Sequence, residues 1–448
     1  MIKNIIYKQL LSDSAVYGAG MVSIKAISFL TLPIYTRIFS PEQFGAIEML
    51  SIIGTFIALI MNSGMDSAQS YYFMEAKNKN NYDIRDITTA VLQYRLVSGV
   101  LIIGVVSALS PFIIDFSFDT NIEVKLLLIA VISIFFANLV NQSLEIFRLI
   151  YKPYQYIGLS LFQTLGNIGF ILYFSYVKNM GVSGYFWGSV CGSFAALITG
   201  WFATREYRHW SRFEVRLWGI LLRFGLPLVP AGLMMWIMRA SDRWFVMNML
   251  SSADVGIYAV AARFSAIMIV SVEVFRKAVW PIAMDMLHKD DGPKFFSNVS
   301  TAYILAGSVL SIAFTALSPF IIKLLAAPEY FESWKVLGIL SWVSVFYGFY
   351  LFSGIGFFSS RRTYLTLYSY ATGTVVNLIL NYFLIRAIGI EGAAYSTAIG
   401  LLTANITSII LGRKLYSIKW RYGILATCIT AGLLFTWFYT KLNFAWIT

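Results

Sequence analysis

The sequence predicts an all-α polytopic membrane protein, built as two six-helix lobes that point the same way through the bilayer, with an extra C-terminal helix. Three observations predict it. Helix-length apolar segments follow one another from end to end. Lys and Arg gather at alternate ends of those segments. A seven-residue stretch, ALSPFII, stands at 108–114 and again at 316–322, an offset of 208.

The segments come first. Hydrophobic residues make up 58% of the chain, charged residues 12%, and mean hydropathy is +0.71, outside the balance of a soluble domain. A span takes about 20 apolar residues, because the hydrocarbon core is ~30 Å thick and a helix rises ~1.5 Å per residue. Such segments occupy 14–37, 46–73, 88–110, 124–147, 157–178 and 181–203. After a basic linker they resume at 217–248, 253–280, 298–325, 333–358, 364–386 and 389–412, with one more at 422–440. Residues 1–13 carry Ile2, Ile5, Ile6 and Leu10 on one face with Lys3 and Lys8 off it, and read as a cytoplasmic amphipathic N-terminus. The segment that follows is too long for a signal-peptide core and is expected to be a retained span. The expected domains are therefore 14–204 (N-lobe), 205–216 (cytoplasmic linker), 217–412 (C-lobe) and 413–448, holding the thirteenth span.

Orientation follows from charge, since Lys and Arg accumulate on the cytoplasmic side. Alternate ends carry nineteen of them, among them Lys77, Arg85, Arg148, Arg205, Arg216, Arg361 and Arg413, against six or seven on the other side. The N-terminus is therefore expected inside. The net charge of +12 is spread along the chain and not gathered in a patch, which argues against nucleic acid. Cys191 and Cys428 lie far apart in apolar segments and suggest neither a disulfide framework nor a metal pair.

The repeat extends beyond ALSPFII. At the same offset, Gly181 and Gly184 match Gly389 and Gly392, while Gly45 of SPEQFG and Gly256 of SSADVG differ by 211. Six spans separate the copies, so both keep one orientation, related by an axis along the membrane normal with a cleft between them, as in transporters.

Charges inside apolar segments are candidates for a site, because isolated charge in a bilayer is costly. Lys25, midway along the first span, either faces a water-filled pathway or pairs with a carboxylate or backbone carbonyls. Arg239 and Arg243 share a helical face, with Asp242 within reach of Arg239. A guanidinium suits phosphate oxygens through its planar fork, unless Asp242 simply neutralises both arginines. Arg263 has no carboxylate three or four residues away and is the better ligand candidate. Asp66 shares a face with Asn62 and has no cation on its own helix. It either carries a coupling proton or sodium ion or partners Lys25. Asn377 and Asn381 share a face and either hold sugar hydroxyls or join helices, the commoner use. Pro33, Pro227 and Pro230 interrupt the opening span of each half and suit helices that bend during alternating access. Glu145 with Arg148, and Glu273 with Arg276 and Lys277, read as local ion pairs.

Enzyme readings fare worse. His209 and His288 are the only histidines, and both sit in loops, which removes a His-based acyl-transfer site within the membrane. No metal-ligand spacing or phosphate-cradling glycine loop appears, and no cofactor is expected.

TLPIYTRIFSPEQFGAIEML at 31–50, with FGLPLVPAGLMMWIMRASDRWFV at 224–246 and VGIYAVAARF at 255–264, resembles the Wzx-type flippases for lipid-linked oligosaccharides. These are polysaccharide exporters of the multidrug/oligosaccharidyl-lipid/polysaccharide superfamily, which also holds MATE-type multidrug extruders and the lipid II flippase. The resemblance extends over all twelve main spans and implies a V-shaped, MATE-like pair of lobes in the bacterial inner membrane. It implies a carrier of undecaprenyl-diphosphate-linked O-antigen or capsule repeat units to the periplasmic leaflet, driven by H+ or Na+. A polysaccharide polymerase and a chain-length regulator would be its partners. It further implies a cationic central cavity, to which Lys25, Arg239 and Arg263 are assigned by depth. Arg37, Asp242 and Arg243 belong to the motifs and are expected to serve structure at the outer rim. The alternatives are an ion-coupled drug exporter, which predicts a cavity dominated by carboxylates, and a membrane-embedded glycan polymerase or transferase.

Overall fold

A computed structural model describes residues 20, 23–79, 82–118, 122–209, 215–287, 289–360, 362 and 364–442. The expected N-terminal amphipathic segment, 1–13, lies outside them, as does most of the first half of span one. Residues 23–30 are helical. The helices that follow are α1 (Leu32–Ile38), α2 (Pro41–Asn62), α3 (Met65–Lys79), α4 (Ile84–Ser117), α5 (Val124–Leu149), α6 (Pro153–Leu172), α7 (Gly181–Ala203) and α8 (Val215–Gly225). Then come α9 (Val229–Met249), α10 (Ser252–Met286), α11 (Gly292–Leu325), α12 (Ser333–Ser353), α13 (Ile355–Ser359), α14 (Leu365–Ile388), α15 (Ile390–Gly412) and α16 (Tyr422–Thr440). The described residues contain no strand.

Among the described residues, eleven helices are long and apolar enough to cross a membrane, or up to twelve if α8 and α9 form one broken span. They answer one for one to the expected segments from the second onward, including α16. Backbone donors and acceptors in hydrocarbon must be satisfied within the segment, which leaves helices as the solution for such a chain.

Contacts divide the chain into two compact units, one of residues 1–34 and 46–233, the other of residues 35–45 and 234–448. The segment Tyr35–Gly45 thus groups with the second unit, and α8 with the first.

The internal repeat is visible in local geometry. α4 and α11 are both 34 residues long, with Pro111 and Pro319 at equivalent points inside them. Their C-caps, Phe118 and Ala326, are both extended and return a backbone N–H to the carbonyls of Ile114 and Ile322. Leu101, Phe112 and Phe116 are exposed on α4, and so are their counterparts Val309, Phe320 and Leu324 on α11, while Ser110 and Ser318 are buried. Contiguous exposed apolar surface of this kind belongs against lipid. Gly181 and Gly389 both take positive φ, 55° and 65°, at the starts of α7 and α15. Within the second unit, the two equivalent helix starts meet reciprocally. A Cβ on Gly45 would lie 1.8 Å from the Ser252 carbonyl, and one on Gly256 would lie 2.0 Å from that of Pro41.

Two expected spans are broken. The second divides at Ser63 and Gly64, both with positive φ (46° and 76°), and a Cβ on Gly64 would meet the Gly225 backbone at 2.3 Å. Only glycine fits there. The seventh divides at a 3₁₀ turn, Leu226–Leu228. Pro227 lies in this turn and Pro230 in the first turn of α9, where a missing N–H leaves no helical bond unmade. Pro33 likewise enters in the first turn of α1.

Candidate functional site

The first unit holds an open cavity of about 810 Å³. Asp66, Ser67, Ser70, Tyr71, Met74 and Glu75 of α3 line it, together with Arg148 of α5, Phe224 and Leu228. Positions 67, 70, 71 and 74 fall on one face of a helix, which is why a single short helix can supply most of the lining. Tyr71 stacks on Phe224 with ring centroids 4.8 Å apart. Arg148 pairs with Glu145, and its Nη2 donates to Ser70 Oγ at 3.1 Å, so that expected ion pair is present. The Glu273–Arg276 pair is present too.

Asp66 is held by two side chains. Its Oδ2 accepts from Asn62 Nδ2 at 2.7 Å, across the Ser63–Gly64 break. Its Oδ1 accepts from Nη2 of Arg95 on α4. Arg95 is 1% exposed, and its Nη1 donates to both the backbone carbonyl and Oδ1 of Asn138 on α5, at 2.6 Å each. Asp66 also stands in the first turn of α3, where the helix dipole favours negative charge. The Asp66 side chain is 43% exposed at the cavity wall, so a wholly buried guanidinium is answered by a carboxylate that cavity contents can reach. One turn away, Gln69 is fully buried, and its amide makes no hydrogen bond to protein.

This overturns one expectation. Asp66 does not partner Lys25; its cation is Arg95, which sequence reasoning missed. The signal was there, an arginine inside the apolar segment 88–110, but its partner lies on another helix and shows no spacing. Lys25 is exposed, as is Ser28 one turn on, and Lys25 makes no ion pair among the described residues.

The second unit gathers the remaining candidates. Asp242 is 1% exposed. It accepts from Arg243 Nη1 at 3.0 Å and from the Tyr258 hydroxyl of α10 at 2.5 Å. Arg243 donates also to the Arg239 carbonyl at 2.6 Å. The carboxylate therefore answers its neighbour Arg243, not Arg239, because the fork of Arg243 folds back along α9. Arg239 is exposed, its guanidinium 5.6 Å from the Tyr347 ring centre. Arg263 lies 4.6 Å from the ring centre of Phe44, a cation–π approach. Arg37 is exposed near the end of α1.

Asn377 and Asn381 are fully buried. Asn377 accepts from Ser241 on α9 at 3.0 Å and donates to Thr397 on α15 at 3.3 Å, and Asn381 donates to Asn377 at 3.3 Å. Of the two uses expected, joining helices is the one realised here; neither amide faces solvent to meet a sugar.

The cavity of the first unit is distinct from the cationic central cavity expected between the lobes. Its wall carries Asp66 and Glu75 against Arg148, and none of Lys25, Arg239 and Arg263 lines it.

The sequence matches the polysaccharide biosynthesis protein family over residues 34–287. A relative from Haemophilus influenzae, "Lsg locus putative protein 1", is 20% identical over 281 residues, 61% of this chain. The match spans 66% of that relative's own length. Among solved structures, the lipid II flippase MurJ in an inward closed conformation superposes with a TM-score of 0.72 at 15% identity, covering 95% of this chain and 94% of that one. A multidrug resistance MATE family transporter of the MOP superfamily, inward-facing, gives 0.71 at 15% identity, covering 92% and 99%. At such identities the likeness concerns the fold. The extended match to the family, on the fold shared with these flippase and MATE structures, makes this chain a member of the polysaccharide biosynthesis protein family.

Proposed function

We propose that this protein is a flippase carrying undecaprenyl-diphosphate-linked oligosaccharide, an O-antigen or capsule repeat unit, from the cytoplasmic to the periplasmic leaflet by alternating access. The observation that carries the reading is the family match over 34–287. The cavity supports it: a stacked aromatic pair beside carboxylates, serine hydroxyls and a guanidinium is the chemistry that holds sugar rings and their hydroxyls. By the distribution of Lys and Arg, the end of α3 and Arg148 lie on the cytoplasmic side, where a lipid-linked precursor would enter. In this reading Lys25, Arg239 and Arg263 serve the diphosphate. Asp66 couples transport to H+ or Na+ by exchanging Arg95 for the incoming cation, and the breaks at Pro227 and Pro230 serve as hinges. The chain has no catalytic role in the reading.

One observation favours a second reading, ion-coupled export of a small molecule. Two carboxylates against one guanidinium on the cavity wall is the lining that a cation-accepting exporter needs. Complementation separates the two. In cells lacking an exporter of known repeat unit, the flippase reading expects restored surface glycan and no accumulated lipid-linked intermediate. Ion-dependent drug efflux with the intermediate still accumulating would install the second reading.

A further inference from the structure

At the start of α4, outside the cavity lining, three side chains from two distant stretches converge. Asp83 precedes α4, Asp86 stands in its first turn, and His209 follows the 3₁₀ turn Arg205–Tyr207 after α7. One ligand atom from each lies within 4.8 Å of the others. His209 Nε2 is 3.4 Å from Asp83 Oδ2 and 3.7 Å from Asp86 Oδ1. From these contacts we infer a binding site for one divalent first-row transition cation, held by Asp83, Asp86 and His209.

Four features argue for a built site over a chance meeting of surface charges. The set is mixed, one imidazole nitrogen and two carboxylate oxygens, the donors that Mn2+ to Zn2+ accept. Asp83 divides its work: Oδ1 accepts from the Arg85 backbone N–H at 2.8 Å, capping the helix and leaving Oδ2 for the site. Asp86 aims at the site an oxygen that is shielded from solvent and makes no hydrogen bond to protein, a costly state for a carboxylate oxygen unless something positive answers it. The histidine is placed by its backbone, which donates to Thr89 Oγ1 at 2.9 Å, while the carbonyl of Tyr207 accepts from Thr88. Donors around one ion at ~2.0–2.2 Å stand about 3.0–3.4 Å apart, so closure asks only a small rotation of Asp83, whose side chain is 53% exposed. The positive helix end and Arg85 oppose a cation there, and the two carboxylates outweigh them only if both turn inward. A bound ion would tie the start of the linker between the two sequence repeats to α4.

The test is titration of the purified full chain with Mn2+, followed by the loss of the free-ion electron paramagnetic resonance signal. One Mn2+ per chain should bind saturably, and Asp86→Asn and His209→Ala should each weaken binding about tenfold or more, while the nearby exposed Glu206→Gln should not. Should those variants fail to fold, a His288→Ala background leaves His209 the sole histidine. There Mn2+ should protect it from diethylpyrocarbonate. Absence of saturable binding, binding untouched by both ligand variants, or an unprotected His209 overturns the proposal and leaves a histidine held between two aspartates without a metal.

Discussion

α4 and α11 are copies of one element, alike in length, internal proline, C-cap and exposed apolar face, yet their buried sides differ. Where α4 buries Arg95, the offset of 208 places Tyr303 on α11, whose hydroxyl donates to the Val345 carbonyl at 3.0 Å. Where α5 offers Asn138 and Gln142, α12 offers Phe346 and Tyr350. The second copy closes on rings, with Phe275, Tyr303 and Phe352 in mutual contact. The first closes on a guanidinium, a carboxylate and amides. Aromatic packing therefore suffices for this architecture, and the ionic version must be explained by something other than folding. Buried ion pairs seldom repay their desolvation against apolar replacements. The Asp66 end of this one opens on the cavity, and that is where its use lies.

The largest expected effect breaks the ionic copy. Asp66→Asn leaves Arg95 charged and buried without its counter-ion, and should cost about 3–5 kcal/mol in detergent unfolding. Next come the glycines where the copies should agree. A Cβ on Gly184 would stand 2.7 Å from the Ser175 backbone nitrogen, and one on Gly392 would stand 2.3 Å from backbone atoms of Leu384. Gly184→Val and Gly392→Val should therefore each cost about 1–3 kcal/mol by wedging paired helices; a large loss in one copy alone would weaken the equivalence. Smaller still, Tyr303→Phe removes one hydrogen bond from the aromatic copy and should cost about 0.5–1.5 kcal/mol.

The smallest effect is one of pH, at the loop end of α4. The Arg85 backbone N–H holds the Asp83 carboxyl below the ordinary carboxylate range against an opposing push from burial, with smaller help from His209. A folded value below the unfolded one stabilises at neutral pH, and that contribution fades as pH falls through the folded value. Hydrogen-exchange protection factors at the first turn of α4 should therefore fall below about pH 4 and hold constant above it. Asp83→Asn should flatten the profile.

The spans were legible because length and hydropathy suffice to mark them, and the repeat because ALSPFII and the glycine pairs keep one offset. The break after Asn62 was legible in principle, as an Ser-Gly pair inside an apolar run, but hydropathy averaging hides a single turn. The pairings were not legible. Asp66 finds Arg95 on α4, and Asp242 finds Tyr258 on α10, through packing of separate helices, and no spacing along the chain encodes which helices meet. Asn377 and Asn381 were correctly placed on one face, but whether that face meets water or Ser241 and Thr397 depends on the same packing.

The central claim is that the first copy keeps its charges for transport. The direct test is the double variant Asp66→Leu with Arg95→Met, which replaces the ion pair of the first copy with apolar side chains. The account predicts a protein that unfolds at close to the wild-type temperature and fails to restore surface glycan in exporter-deficient cells. Full glycan export by that double variant would contradict it.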